Sequence, residues 1–183
     1  LKSSLKEAGF KLKKSLDGPG DVVAPAYGLV GSIQLYTMCD EEEAVARAVV
    51  QAEGVDFAVW REGKEIGAVS HDERIDPLDL PAAEYPDLRH RIEAAFRGHT
   101  ANPANVYVSL KDGWHWGSGL FELLVNIKGT HGSARDTSTL GFVASNVDRL
   151  PEYLRAEDVF PYLGLSLQPE PPRPFTDPCL EPE

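Results

Sequence analysis

The sequence is poor in cysteine: Cys39 and Cys179 are the only two in 183 residues. Two cysteines exclude a disulfide framework, and the reading favours two free thiols over a single long bridge. No run of eighteen apolar residues occurs, which excludes an ordinary membrane-spanning helix. The first residues are polar and basic, with no apolar core segment, so they do not read as a signal peptide. Leu1 stands where an initiating methionine would be, the pattern expected where something upstream has been removed. Positive charge is also scarce, with 18 Lys and Arg against 29 Asp and Glu and a net charge of −11. Such a surface repels nucleic acid and anionic membranes. Lys2, Lys6, Lys11, Lys13 and Lys14 run against that trend, and they read as a solvated helix face rather than a nucleic-acid patch. There is no P-loop, no GxGxxG and no CxxC pair.

What is present is the patterning of one α/β domain. Residues 3–16 read as a helix with Leu5, Leu12 and Leu16 near one face, broken by Gly18-Pro19-Gly20. Asp21–Ala26 and Ser32–Met38 read as a hairpin-like pair of strands. Asp40 and Glu43 form a capping box for a helix with the apolar stripe Val45, Ala48, Val49 and Ala52, ended by Gly54. Val55–Trp60 and Glu65–Ser70 form a second hairpin around Glu62-Gly63-Lys64. A further helix starts near Pro86 and buries Leu88, Ile92, Ala95 and Phe96. Asn105–Leu110 and Leu140–Ser145 read as strands, and Arg155–Leu163 as a short closing helix. Residues 168–183 hold six prolines and four acids, and read as an extended tail. The expected architecture is a mixed sheet flanked by helices over residues 1–167, with 168–183 as a Pro-rich acidic appendage.

Chemistry concentrates in two short stretches. Gly129-Thr130-His131-Gly132-Ser133 holds a histidine between flexible residues after the apolar run Leu120–Ile127. Glycine lets the backbone turn sharply, so an imidazole nitrogen there can reach a metal; a loop histidine satisfied by backbone is the bland alternative. Asp112-Gly113-Trp114-His115-Trp116 follows a strand. Trp114 and Trp116 there either stack on a flat substrate group or simply pack. Arg135 has the donor fork to bind a phosphate or sulfate oxygen, or it pairs with a carboxylate. His71, Asp72, Glu73 and Asp76 form an acidic cluster that reads as a solvated loop rather than a hard-cation site. Ser133, Arg135 and Asp136 sit too close together in one loop for a hydrolase triad with His131. His90 and His99 carry no assigned role.

Three ordered stretches resemble the C-terminal half of the alkaline phosphatase superfamily, nearest its type I phosphodiesterase and nucleotide pyrophosphatase branch. They are Ala104–Ser109 running into Asp112-Gly113-Trp114, then Gly129–Ser133 followed by Leu140–Ser145, then Arg155–Leu165. The resemblance implies the C-terminal part of that family's α/β/α sandwich. It implies in-line attack on a phosphoric or sulfuric ester at a two-metal site, usually zinc, through a covalent intermediate. It makes His131 a metal ligand and leaves Trp114 and Arg135 as substrate-binding candidates. The family's nucleophile segment, an early Asp and its Asp-His-Gly motif do not occur in these residues. The expected partners are therefore the missing N-terminal half and, in the complete enzyme, zinc or another divalent cation and a phosphoester. A half-sheet leaves an edge and an apolar face uncovered, which predicts a homo-oligomer or a second polypeptide. The competing expectation is a non-catalytic α/β binding or interaction domain that retains the scaffold.

Overall fold

The computed structural model describes residues 1–26, 28–63, 65–71, 73–97, 102–125, 129–146 and 150–165. Helix α1 is Lys2–Glu7, followed by strands β1 (Lys11–Lys13), β2 (Asp21–Val23), β3 (Leu29–Val30) and β4 (Ser32–Thr37). Helix α2 (Glu42–Val49) leads to β5 (Val55–Glu62), β6 (Glu65–Ser70) and β7 (Glu73–Arg74). Helix α3 (Leu88–Arg97) precedes β8 (Val106–Leu110) and β9 (Trp116–Gly117). Helices α4 (Gly119–Leu124), α5 (Asp136–Thr139) and α6 (Val159–Tyr162) complete the order.

Seven strands form one mixed sheet in the order β1-β2-β4-β8-β5-β6-β7, and β3 pairs with β9 in a separate ribbon. The β1–β2 pair is parallel and the others are antiparallel. Alternation along the strands divides the core in two. Ala58 and Trp60 of β5, with Val106 and Val108 of β8, join Leu5 of α1 and Val45, Ala46, Ala48 and Val49 of α2 on one face. Phe57, Val59 and Ala68 meet Leu88, Ile92 and Phe96 of α3 on the other. The fold is thus the expected α/β class, a mixed sheet with helices on both faces. Each fully buried Val or Leu here contributes about 1.5–3 kcal/mol by leaving water.

Both expected hairpins form, but several local expectations give way. The N-terminal helix stops at Glu7, because the chain turns at Gly9 (φ 90°) and Lys11-Leu12-Lys13 alternates in burial as a strand does. The capping box does not form. Asp40 sits at φ 68°, Glu41 takes the N-cap position, and the Glu41 carboxylate instead accepts from the Gly20 amide (2.7 Å) and the Thr37 hydroxyl (3.0 Å). Among the described residues, Leu140–Ser145 joins no sheet, and Phe142 is 94% exposed. The closing helix shortens to a 3₁₀ turn at Ala156–Asp158 and α6. The expected tail lies outside the described residues.

Cys39, just past β4, is disulfide-bonded rather than a free thiol. Sequence spacing carries no information about which cysteines meet in space, and Cys179 lies outside the described residues. Thiol titration in denaturant without reductant should find no free thiol, and two per chain after reduction. Two reactive thiols before reduction would show that the bond does not form.

Candidate functional site

The amino end of β4, the carboxyl end of β8 and the amino end of β5 lie side by side, with Ser32 opposite Ser109 and Val55 opposite Leu110. Two loops gather at this end of the sheet. The first leaves β8: the Lys111 amide donates to the Gly54 carbonyl (2.8 Å), and the Trp114 amide closes a turn onto Lys111 (3.1 Å). The Trp114 indole lies against Gly54, where an added Cβ would fall 2.2 Å from the ring. The chain continues into β9, where Trp116 donates through Nε1 to the Pro25 carbonyl (3.0 Å). Trp114 thus lines the site, whereas Trp116 packs partly buried against the core.

The second loop carries His131. The Thr130 hydroxyl donates to the Leu29 carbonyl (2.9 Å), and the Gly31 amide donates to the His131 carbonyl (2.7 Å). Gly31 has to be glycine for this approach, since a Cβ would sit 2.8 Å from the Ser133 nitrogen. The Ala134 amide donates to the Ser109 hydroxyl of β8 (3.0 Å). The Thr137 hydroxyl donates to Asp112 (2.8 Å) and joins the two loops directly. Between them lies a cleft of about 410 Å³ lined by Lys111, Trp114, His115, Thr130, Ser133 and Ser138. The His131 side chain is exposed on the loop that borders this cleft.

Arg135 is engaged by the protein itself. Its Nη1 donates to Asp56 (3.2 Å) and to the Tyr85 hydroxyl (2.9 Å), and its Nη2 donates to Glu84 (3.0 Å). Its Nε lies 3.6 Å from Asp112, and the guanidinium stands 5.2 Å from the Tyr85 ring centre. The Tyr85 hydroxyl in turn donates to Asp56 (2.9 Å). Burial, reinforced by that neighbouring carboxylate, pushes the Tyr85 pKa well above the ordinary phenol value. The sequence reading named His131, Trp114 and Arg135 as candidates, and their loops meet at this end of the sheet, but it missed Asp56, Tyr85 and Arg91. Arg91 left a faint signal: it stands three residues after Leu88 and one before Ile92, next to the buried stripe of α3.

The other titratable candidates lie apart from this end or act locally. Asp76 caps a 3₁₀ turn by accepting from the Leu78 amide (2.9 Å). His90 pairs with Glu157 (2.8 Å), and His99 lies outside the described residues. Among the described residues no group of three or more His, Cys, Asp or Glu is placed to hold a metal ion. Comparison with protein-family models, curated proteins and solved structures finds no match for this chain.

Proposed function

We propose that this chain supplies one corner of a metal-dependent phosphoric or sulfuric ester hydrolase, with His131 as a ligand of zinc or another divalent cation. The remaining ligands and the nucleophile come from a separate segment, the counterpart of the N-terminal half of the alkaline phosphatase superfamily. The observation that carries this reading is the meeting of the Asp112-Gly113-Trp114 turn and the His131 loop around one cleft. A zinc site needs at least three protein ligands, and a single exposed imidazole binds the ion weakly. Trp114 forms the aromatic wall of the cleft. Arg135 would reach a substrate oxygen only by giving up one of its carboxylate partners.

The chain alone should therefore show no turnover of an aryl phosphate or a bis-aryl phosphate. Zn²⁺ should still shift the His131 ring resonances selectively. Once the completing segment is supplied, activity should appear, and His131→Ala should lower both metal content and turnover by about a hundredfold or more. Metal content and turnover that ignore the substitution would remove the ligand role. A second reading is a non-catalytic interaction domain that kept this scaffold. It is favoured by the exposed apolar side chains Leu140, Phe142, Val143, Leu163 and Leu165. Under it, no completing segment confers turnover and His131→Ala changes nothing.

A further inference from the structure

We infer that Arg91 is a positioning residue for the candidate site, its guanidinium setting the path of the loop that carries His131. The functional meaning of this rests on the ligand reading of His131, whereas the clamp itself does not. Arg91 is half-buried on α3 and directs its donors at main-chain carbonyls. Nη1 donates to Ala134 (2.9 Å) and Pro86 (3.3 Å), and Nη2 donates to Ser133 (3.1 Å). Among the described residues it makes no ion pair. Burial accordingly lowers its pKa, with Tyr153 and then Asp87 acting in the opposite sense. Desolvating a cation that no carboxylate pairs with directly is costly. The return is a set of charge-assisted hydrogen bonds, the stronger class, to two successive peptides of the loop.

Those two peptides lie on one side of the histidine. Before it the Thr130 hydroxyl is held by Leu29, and the histidine's own carbonyl is held by Gly31. Only Gly132, at φ 94°, separates the two anchored stretches. The His131 Cα is thereby fixed from both directions, and the imidazole is left with its side-chain torsions alone. A ligand presented on a loop fixed in advance spends less ordering entropy on binding. Lysine cannot replace the clamp, because an ammonium lacks the planar fork that serves both carbonyls. The Thr139 hydroxyl on Ser133 (3.2 Å) and the Ser109 hydroxyl on Ala134 persist without Arg91. Removing Arg91 should therefore loosen the loop and leave the sheet intact.

Amide hydrogen exchange on the 183-residue chain, without metal, tests this. The reporters are the amides of Gly31 and Asp136, and the controls are β5–β8 ladder amides. In Arg91→Ala the reporters should exchange about 10- to 100-fold faster, with the controls unchanged. Arg91→Lys should behave nearly the same. Millimolar guanidinium ion, against a sodium chloride control, should slow the reporters again in the alanine variant. Unchanged reporters in both variants would overturn the clamp. Equal acceleration of reporters and controls without guanidinium recovery would overturn it too, by making Arg91 a general packing residue. If neither variant folds, the wild-type Arg91 Nη hydrogens decide: they should exchange slowly, and exchange at the rate of an exposed arginine refutes the proposal. Zn²⁺ added to the same wild-type sample tests the His131 reading separately. No ring shift with protection intact would remove the ligand and leave the clamp.

Discussion

Arg135→Ala is expected to cost about 2–3 kcal/mol of folding stability, the range for losing hydrogen bonds to a charged partner at a mostly buried site. The cost should come almost wholly from one of its three carboxylates. The Arg135 and Asp56 side chains are 23% and 13% exposed, whereas Glu84 and Asp112 stand half in water. Without the guanidinium, Asp56 keeps only the Tyr85 hydroxyl as a side-chain donor among the described residues. Glu84→Gln should therefore change stability by under about 0.5 kcal/mol, as exposed ion pairs do. The denaturation midpoints of the two variants separate these cases. Equal losses would mean that the network acts through its exposed rim, and a neutral Arg135→Ala would remove its structural role altogether.

Gly54→Ala is expected to cost about 2–4 kcal/mol through two separable effects. At φ 89° a side chain is strained by about 1 kcal/mol or more. The added methyl would also lie 2.2 Å from the Trp114 ring, and overpacking of that kind costs about 1–3 kcal/mol. Trp114 is 44% exposed, so the indole has room to swing outward, which places the sum toward the lower end. That same swing would strip the cleft of its aromatic wall. In the double variant Gly54→Ala with Trp114→Ala, the clash vanishes and only the backbone strain of about 1 kcal/mol should remain relative to Trp114→Ala alone. A double variant with the full loss intact would show that Trp114 does not rest on Gly54 in solution.

The α/β class was legible because binary patterning reports burial directly. Val55–Trp60 and Asn105–Leu110 are apolar on both faces and became the centre of the sheet, while Val45, Ala48 and Val49 became the buried stripe of α2. What failed depended on partners distant in sequence. Asp40 and Glu43 have capping-box spacing, yet the positive φ of Asp40 redirects the backbone, and Gly20 and Thr37 recruit Glu41 instead. Leu140–Ser145 has strand composition but finds no strand to pair with among the described residues. The two glycine-containing motifs were visible as local strings, so His131 and Trp114 could be named as neighbours of one site. Asp56, Tyr85 and Arg91 could not, because each acts on the loop at 129–139 from an element many residues away.

The anchoring of the His131 loop also fixes an order of events. Its holds come from Leu29, Gly31, Glu84, Arg91 and Ser109, and the hydrogen bond from Thr130 to Leu29 spans 101 residues of chain. Ser109 and Gly31 take their places as β4 pairs with β8, and Arg91 takes its place as α3 docks. Closing so long a connection earns its contacts only after the intervening chain is ordered. The loop therefore belongs among the last parts of the molecule to reach its native path, and its arrival marks a sheet whose centre is already complete.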